Sequence, residues 1–196
     1  MRAFEEYKSF ETSGRTVLGV VQAFGQFKAL ASQLLLDEGV GSKGPDGLIV
    51  LDPEGWYPMA SYLRMLAKAN EQMGDSVLHQ IGVAVAKIVW MPSITSIKSL
   101  AETLDVGYHM FHRKNGQPMW DPVTKQMQEG IGHYRYKEQG PHAVEIESGI
   151  PYPCAFDKGL LFSGLRMLTR SAAIRHDDSL PCRKRGDGSC VYIVKG

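Results

Sequence analysis

Apolar positions recur along the first half of this chain with the spacing of helices. Residues 16–38 place Val17, Val20, Val21, Phe24, Phe27, Ala31, Leu34 and Leu35 on one face, a 3.6-residue period that predicts one helix. Ser13 is positioned to start it and Gly39-Val40-Gly41 to end it. Gly19 and Gly25 work against it, each costing about 1 kcal/mol in a helix relative to alanine. A short extended piece, 48–51, follows between glycine- and proline-bearing turns. Residues 59–72 predict a second helix entered through Pro58. Asp75 caps a third, 76–90, whose apolar side is Val77, Leu78, Ile81, Val85, Ile88 and Val89. Pro92-Ser93 breaks it and begins a fourth, with Ile94, Ile97, Leu100, Leu104 and Tyr108 as the core-facing stripe.

Beyond Asn115-Gly116 the period changes to two. Residues 131–138 and 143–147 read as strands joined by the turn Gln139-Gly140-Pro141. Helical spacing returns over 156–169, where Leu160, Leu161, Leu165 and Leu168 share a side. Two short strands, 172–175 and 190–194, finish the chain. The order α-α-α-α-β-β-α-β-β predicts an α+β fold, a four-stranded antiparallel sheet packed against a helical layer. No repeat or linker divides the chain, so a single domain over 1–196 is expected.

Composition narrows the function classes. Apolar residues are 43% and charged residues 22% of 196, with 22 basic against 21 acidic side chains. Such a balance carries no basic stripe for nucleic acid. The longest apolar stretch, 81–91, falls short of the roughly 20 residues of a membrane span. Residues 1–10 are charged and lack a signal-like apolar run, and the cysteine count is odd at three. A cytoplasmic location with reduced thiols is therefore expected.

Chemistry gathers at the end of the chain. Cys154, Cys182 and Cys190 all lie there, with His176, Asp177 and Asp178 among them and the turn Gly186-Asp187-Gly188 close by. Three soft ligands with harder ones interleaved point to tetrahedral zinc, held by the cysteines and by His176 or Asp178. Four protein ligands would leave no open position, so the site would fasten the helix to the last hairpin and catalyse nothing. Three buried thiols acting as small hydrophobes, or a redox pair, are the competing readings.

Elsewhere the chain lacks a phosphate loop, a dinucleotide fingerprint, an H-E-x-x-H and a nucleophile elbow. Nothing in the spacing joins Cys154 to a base such as His133 or His142, so no catalytic residue is assigned and a non-enzymatic protein is expected. His109, Phe111, His112 and Trp120 mix rings and imidazoles as the wall of an apolar pocket would, one ring nitrogen orienting a polar group on a ligand. The competing reading is the end of a core-facing helix. His109 as an axial haem ligand is a third, though a lone helical histidine more often packs. Gly159 and Gly164, on one short helix, call for a close neighbour.

The stretch from Pro151 to Leu160, with Pro151-Tyr152-Pro153-Cys154-Ala155-Phe156, followed by Cys182 and by Gly186-Asp187-Gly188-Ser189-Cys190-Val191-Tyr192, resembles the 4-vinyl reductase domain family. That family shares its fold with vesicle-tethering TRAPP subunits and with the sensor region of bacterial phenol-responsive activators. The region of Trp56-Tyr57-Pro58 and residues 108–113 also resembles a group of uncharacterised myxobacterial paralogues. The resemblance implies a structural zinc on three cysteines and a glutamate, and the glutamate position is Ser179 here. It also implies a homodimer and a pocket for a small hydrophobic or aromatic ligand, with output through a separate protein partner. A sensory, ligand-binding module is the leading expectation. A protein-interaction scaffold acting through a helical surface, and a tetrapyrrole-related enzyme or carrier, are the alternatives.

Overall fold

A computed structural model describes residues 4–89, 94–140, 143–171 and 173–195. The expected break at Pro92-Ser93, and Pro141, His142 and Ala172, lie outside these. The chain opens with a 3₁₀ turn, Glu5–Tyr7, then β1 (Phe10–Ser13) and α1 (Gly14–Phe24). The Ser13 side chain accepts the Thr16 amide proton at 3.3 Å, capping α1. Expected as one helix, 16–38 is two. Gly25 takes φ +52°, a 3₁₀ turn Gly25–Phe27 follows, and α2 (Lys28–Asp37) begins after it.

A small hairpin, β2 (Ser42–Lys43) and β3 (Ile49–Val50), leads to β4 (Trp56–Pro58). Then come α3 (Met59–Met73), α4 (Asp75–Val89) and α5 (Ile97–Met110), the last opened by a reciprocal capping box between Ser96 and Ser99. The strands β5 (His112–Lys114) and β6 (Gln117–Pro118) follow. β7 (Tyr134–Gly140), β8 (Ala143–Ser148), α6 (Cys154–Leu168), β9 (Ala173–Arg175), a 3₁₀ turn Arg183–Arg185 and β10 (Cys190–Lys195) complete the chain.

The expected α+β layout is present. Its antiparallel sheet runs β7-β8-β10-β9, with Tyr192 opposite Ile146 and Val194 opposite Ile174. A second sheet, β4-β1-β5-β6, has no counterpart in the sequence reading. It joins Thr12 to Tyr57 on one side and to His112 on the other. These strands are too short for a period of two to register, and their partners lie far off in sequence.

Helices cover the main sheet, and one core runs through both layers. Val17 and Val20 of α1, Leu63 and Leu66 of α3, Ile81 and Val85 of α4, Leu100 of α5 and Leu161 of α6 are all buried in it, with Ile146 and Tyr192 of the sheet. Burying each such aliphatic side chain stabilises by about 1.5–3 kcal/mol. At the centre α4 and α6 meet glycine to backbone. A Cβ built on Gly82 would stand 2.1 Å from the Phe156 carbonyl oxygen, and one on Gly159 2.1 Å from that of His79. Among the described residues no helix is long and apolar enough to cross a membrane.

Candidate functional site

Among the described residues, two places bring together side chains that the sequence singled out. The first is an apolar cleft of about 50 Å³ between α4, α5, α6 and β7. Val85, Leu104, Tyr108, Phe156 and Leu160 are its buried floor, while Val89, Thr103, Gly107 and Phe111 form a half-buried rim. Its polar fixture is His112, buried where β5 begins. A carbonyl can only accept, so the Nδ1–H donates to the Tyr108 carbonyl. That leaves Nε2 as an acceptor, and the Tyr152 hydroxyl donates to it at 2.7 Å. Burial pushes the His112 pKa down to about 4, so the ring is neutral. Tyr108 in turn donates to the Ile131 carbonyl at 2.8 Å.

Behind the cleft lies Asp157 of α6, fully buried. It accepts hydrogen bonds from Tyr134 (2.9 Å) and Ser148 (2.7 Å), with the Arg183 guanidinium 3.5 Å away. Burial raises its pKa to about 7, against the pull of Arg183 and the two hydroxyls. Arg183 also donates to the Tyr152 carbonyl, so one cation ties the loop before β10 to the cleft wall.

The second place is the thiol cluster. Cys182 Sγ lies 3.8 Å from Cys154 Sγ and 4.0 Å from Cys190 Sγ, and all three residues are buried and unbridged. His176 completes the set, each residue offering a ligand atom within 4.8 Å of the others. Its Nδ1–H donates to the Val191 carbonyl at 2.6 Å, which leaves Nε2 the lone pair. Cys190 is held down to about 4, by a hydrogen bond from Cys154 first and then by the amide and guanidinium of Arg183. The same hydrogen bond, with burial, pushes Cys154 up.

Of the residues singled out in sequence, the structure brings Phe111 and His112 into the cleft. His109 sits on another face of α5, against His133, and Trp120 lies away in a loop, bridged to Met127. Cys154, His176, Cys182 and Cys190 come together. Asp178 does not: it is exposed and pairs with Arg185 at 3.1 Å. Tyr152 and Asp157 lie in the stretch from Pro151 to Leu160 but were read only as motif residues, and Arg183 was given no role; only the burial of a charged pair next to the motif cysteines would have marked them. Replacing Tyr152 with phenylalanine strands the His112 acceptor in the core, and a loss of about 1–3 kcal/mol is expected in urea unfolding. An unchanged midpoint would mean that His112 finds another donor.

No protein-family model matches this sequence, and no curated protein does. Solved structures match its fold. An H-NOX protein from S. oneidensis in the Fe(II)NO ligation state superposes with a TM-score of 0.61 at 13% identity, covering 93% of this chain and 98% of that one. A mutant of an H-NOX protein from the same organism, in the Fe(II) state, gives 0.62 at 16% identity, over 93% and 95%. An oxygen-binding H-NOX domain related to soluble guanylate cyclases gives 0.59 at 16%, over 93% and 91%. The fold is thus that of H-NOX domains, and the 4-vinyl reductase and TRAPP-like expectation is corrected. Short motifs around Cys154 and Cys190 carried that expectation, and such motifs do not fix a topology. The zinc expectation falls with it. The descriptions of two of these neighbours name iron, and that of a further matching H-NOX structure names haem; the cysteine–histidine cluster here remains a ligand set by geometry alone.

Proposed function

We propose that this chain is a non-enzymatic sensory module of the H-NOX fold that takes a small apolar or aromatic molecule, and no haem, in the cleft between α4 and α5. The observation that carries the reading is the cleft itself, mostly apolar in its lining and furnished with one neutral histidine whose two nitrogens are both hydrogen-bonded. Haem is what the descriptions of some of the matching structures name, and the residues present do not fit it. Among the described residues lining the cleft there is no lysine or arginine for the two carboxylates of the macrocycle. The one lining histidine has both nitrogens engaged. The volume of about 50 Å³ is far below the roughly 300–1,000 Å³ of pockets that enclose drug-sized ligands.

The thiol cluster is the fastening in this reading. It pins the start of α6 to the loop and strand that deliver Arg183, and so holds the cleft's rear wall. Output passes to a second copy of the chain or a separate protein partner. A second reading, an interaction scaffold, is favoured by a groove of about 240 Å³ lined by Phe24, Phe27, Leu30, Met73 and Val77, where Phe27 is 64% exposed.

Methyl-resolved NMR separates the two, with phenol as the probe. Phenol is expected to shift the methyl signals of Val85, Val89, Leu104 and Leu160, and haemin added to the chain is expected to develop no Soret band of a ligated iron. A ligated Soret spectrum, or shifts confined to Leu30, Met73 and Val77, would reverse the conclusion.

A further inference from the structure

Outside both places, α5 and the start of β7 bring together a second set of donors. Asp105 and His109 are four residues apart on one face of α5, and His133 stands opposite, just before β7. Each offers a ligand atom, and these atoms lie within 4.8 Å of one another. Its members have hydrogen-bond partners of the kind that hold metal ligands in place. The Asp105 carboxylate is steered by the Tyr134 amide, which donates to Oδ1 at 2.9 Å. The His109 Nδ1–H donates to the Asp105 carbonyl at 2.8 Å, and since a carbonyl only accepts, the lone pair of that ring must sit on Nε2. That Nε2 is fully buried and has no hydrogen-bond partner among the described residues. A buried acceptor left without a donor is costly, and here nothing on the protein's side compensates for it.

His133 faces His109 with ring centroids 4.7 Å apart and lies 3.0 Å from Asp105 Oδ2. Its other nitrogen is 3.0 Å from Glu129, whose side chain is 83% exposed. Glu129 and His133 thus form an entry from solvent, with a second carboxylate at the mouth.

We propose that Asp105, His109 and His133 form a binding site for a divalent transition-metal ion of the cobalt–nickel class, with Glu129 as its gate. Two imidazoles and a carboxylate, with no thiolate, suit such borderline ions rather than calcium or magnesium. The site is independent of the sensory reading, because His109 and His133 do not line the cleft.

The test uses Co²⁺, whose absorption distinguishes its donors. Titrated into the metal-free full chain, Co²⁺ is expected to give visible ligand-field bands before any near-ultraviolet sulfur-to-cobalt band from the thiol cluster. It should also broaden the ring resonances of His109 and His133 in the unmodified protein. His133→Gln, at a half-buried position, should weaken this phase by at least roughly tenfold, the loss that even outer-shell changes cause at metal sites. Binding seen only through the sulfur band, unbroadened histidine signals, or a folded His133→Gln variant with unaltered affinity would each overturn the proposal.

Discussion

Alanine at Gly82 or at Gly159 is expected to destabilise the protein by about 3 kcal/mol, the upper end of what overpacking a core costs. Each new Cβ would stand 2.1 Å from a carbonyl oxygen of the facing helix, Phe156 for the one and His79 for the other. Backbone cannot rotate aside as a side-chain tip can, so α4 and α6 would have to separate. α6 carries Phe156 and Leu160 of the cleft and the buried Asp157, so separation would loosen the cleft as well. Gly107 of α5 is the control. A Cβ there meets nothing within 4 Å, and Gly107→Ala should be neutral or more stable by up to about 1 kcal/mol through helix propensity. Urea midpoints measured on the three variants decide it. If Gly82→Ala and Gly159→Ala track Gly107→Ala, the two helices do not meet backbone to backbone.

That helix pair also marks the reach of sequence reasoning. The apolar stripes of α3, α4, α5 and α6 were legible because a helix facing a core repeats every 3.6 residues. Gly159 was legible as a close approach, while its partner on α4 was not. Gly25 was read only as a cost inside a long helix, though its positive φ ends α1 outright. The sheet β4-β1-β5-β6 was invisible for a different reason. It pairs residues near 10, 57 and 113, and no local pattern encodes pairing at that range.

The sites divide the same way. Cys154, Cys182 and Cys190 announced themselves by type, and their meeting is real. His109 and His112, three residues apart, read alike, yet α5 ends between them and turns one toward His133 and the other into the cleft. The family was misread because only short motifs around Cys154 and Cys190 carried it, and such motifs do not fix a topology.

Asp157 and His112 make the acid response of this protein a difference of two opposed terms. Burial raises Asp157 to about 7, well above the roughly 3.9 of an unfolded aspartate. The native state therefore binds that proton more tightly. The penalty for burying the carboxylate is full above pH 7 and is relieved as the pH falls from 7 toward 4. His112 runs the other way. Its folded pKa of about 4 lies below the roughly 6.5 of an unfolded histidine, so between those values the unfolded chain takes the proton. Stability is lost as the pH falls through that window. At about 1.4 kcal/mol per pKa unit, the two amount to about 4 and about 3 kcal/mol of opposite sign. In the wild type they nearly cancel between pH 7 and 4. Asp157→Asn removes the relief and leaves the loss. Its stability relative to wild type should therefore decline by about 4 kcal/mol from pH 8 to pH 4, whatever its starting value with Arg183 deprived of its counter-ion. Urea unfolding at half-unit pH steps reads this directly. Parallel profiles for variant and wild type would mean that Arg183 keeps Asp157 ionised throughout, and that the buried network behind the cleft is a permanent ion pair.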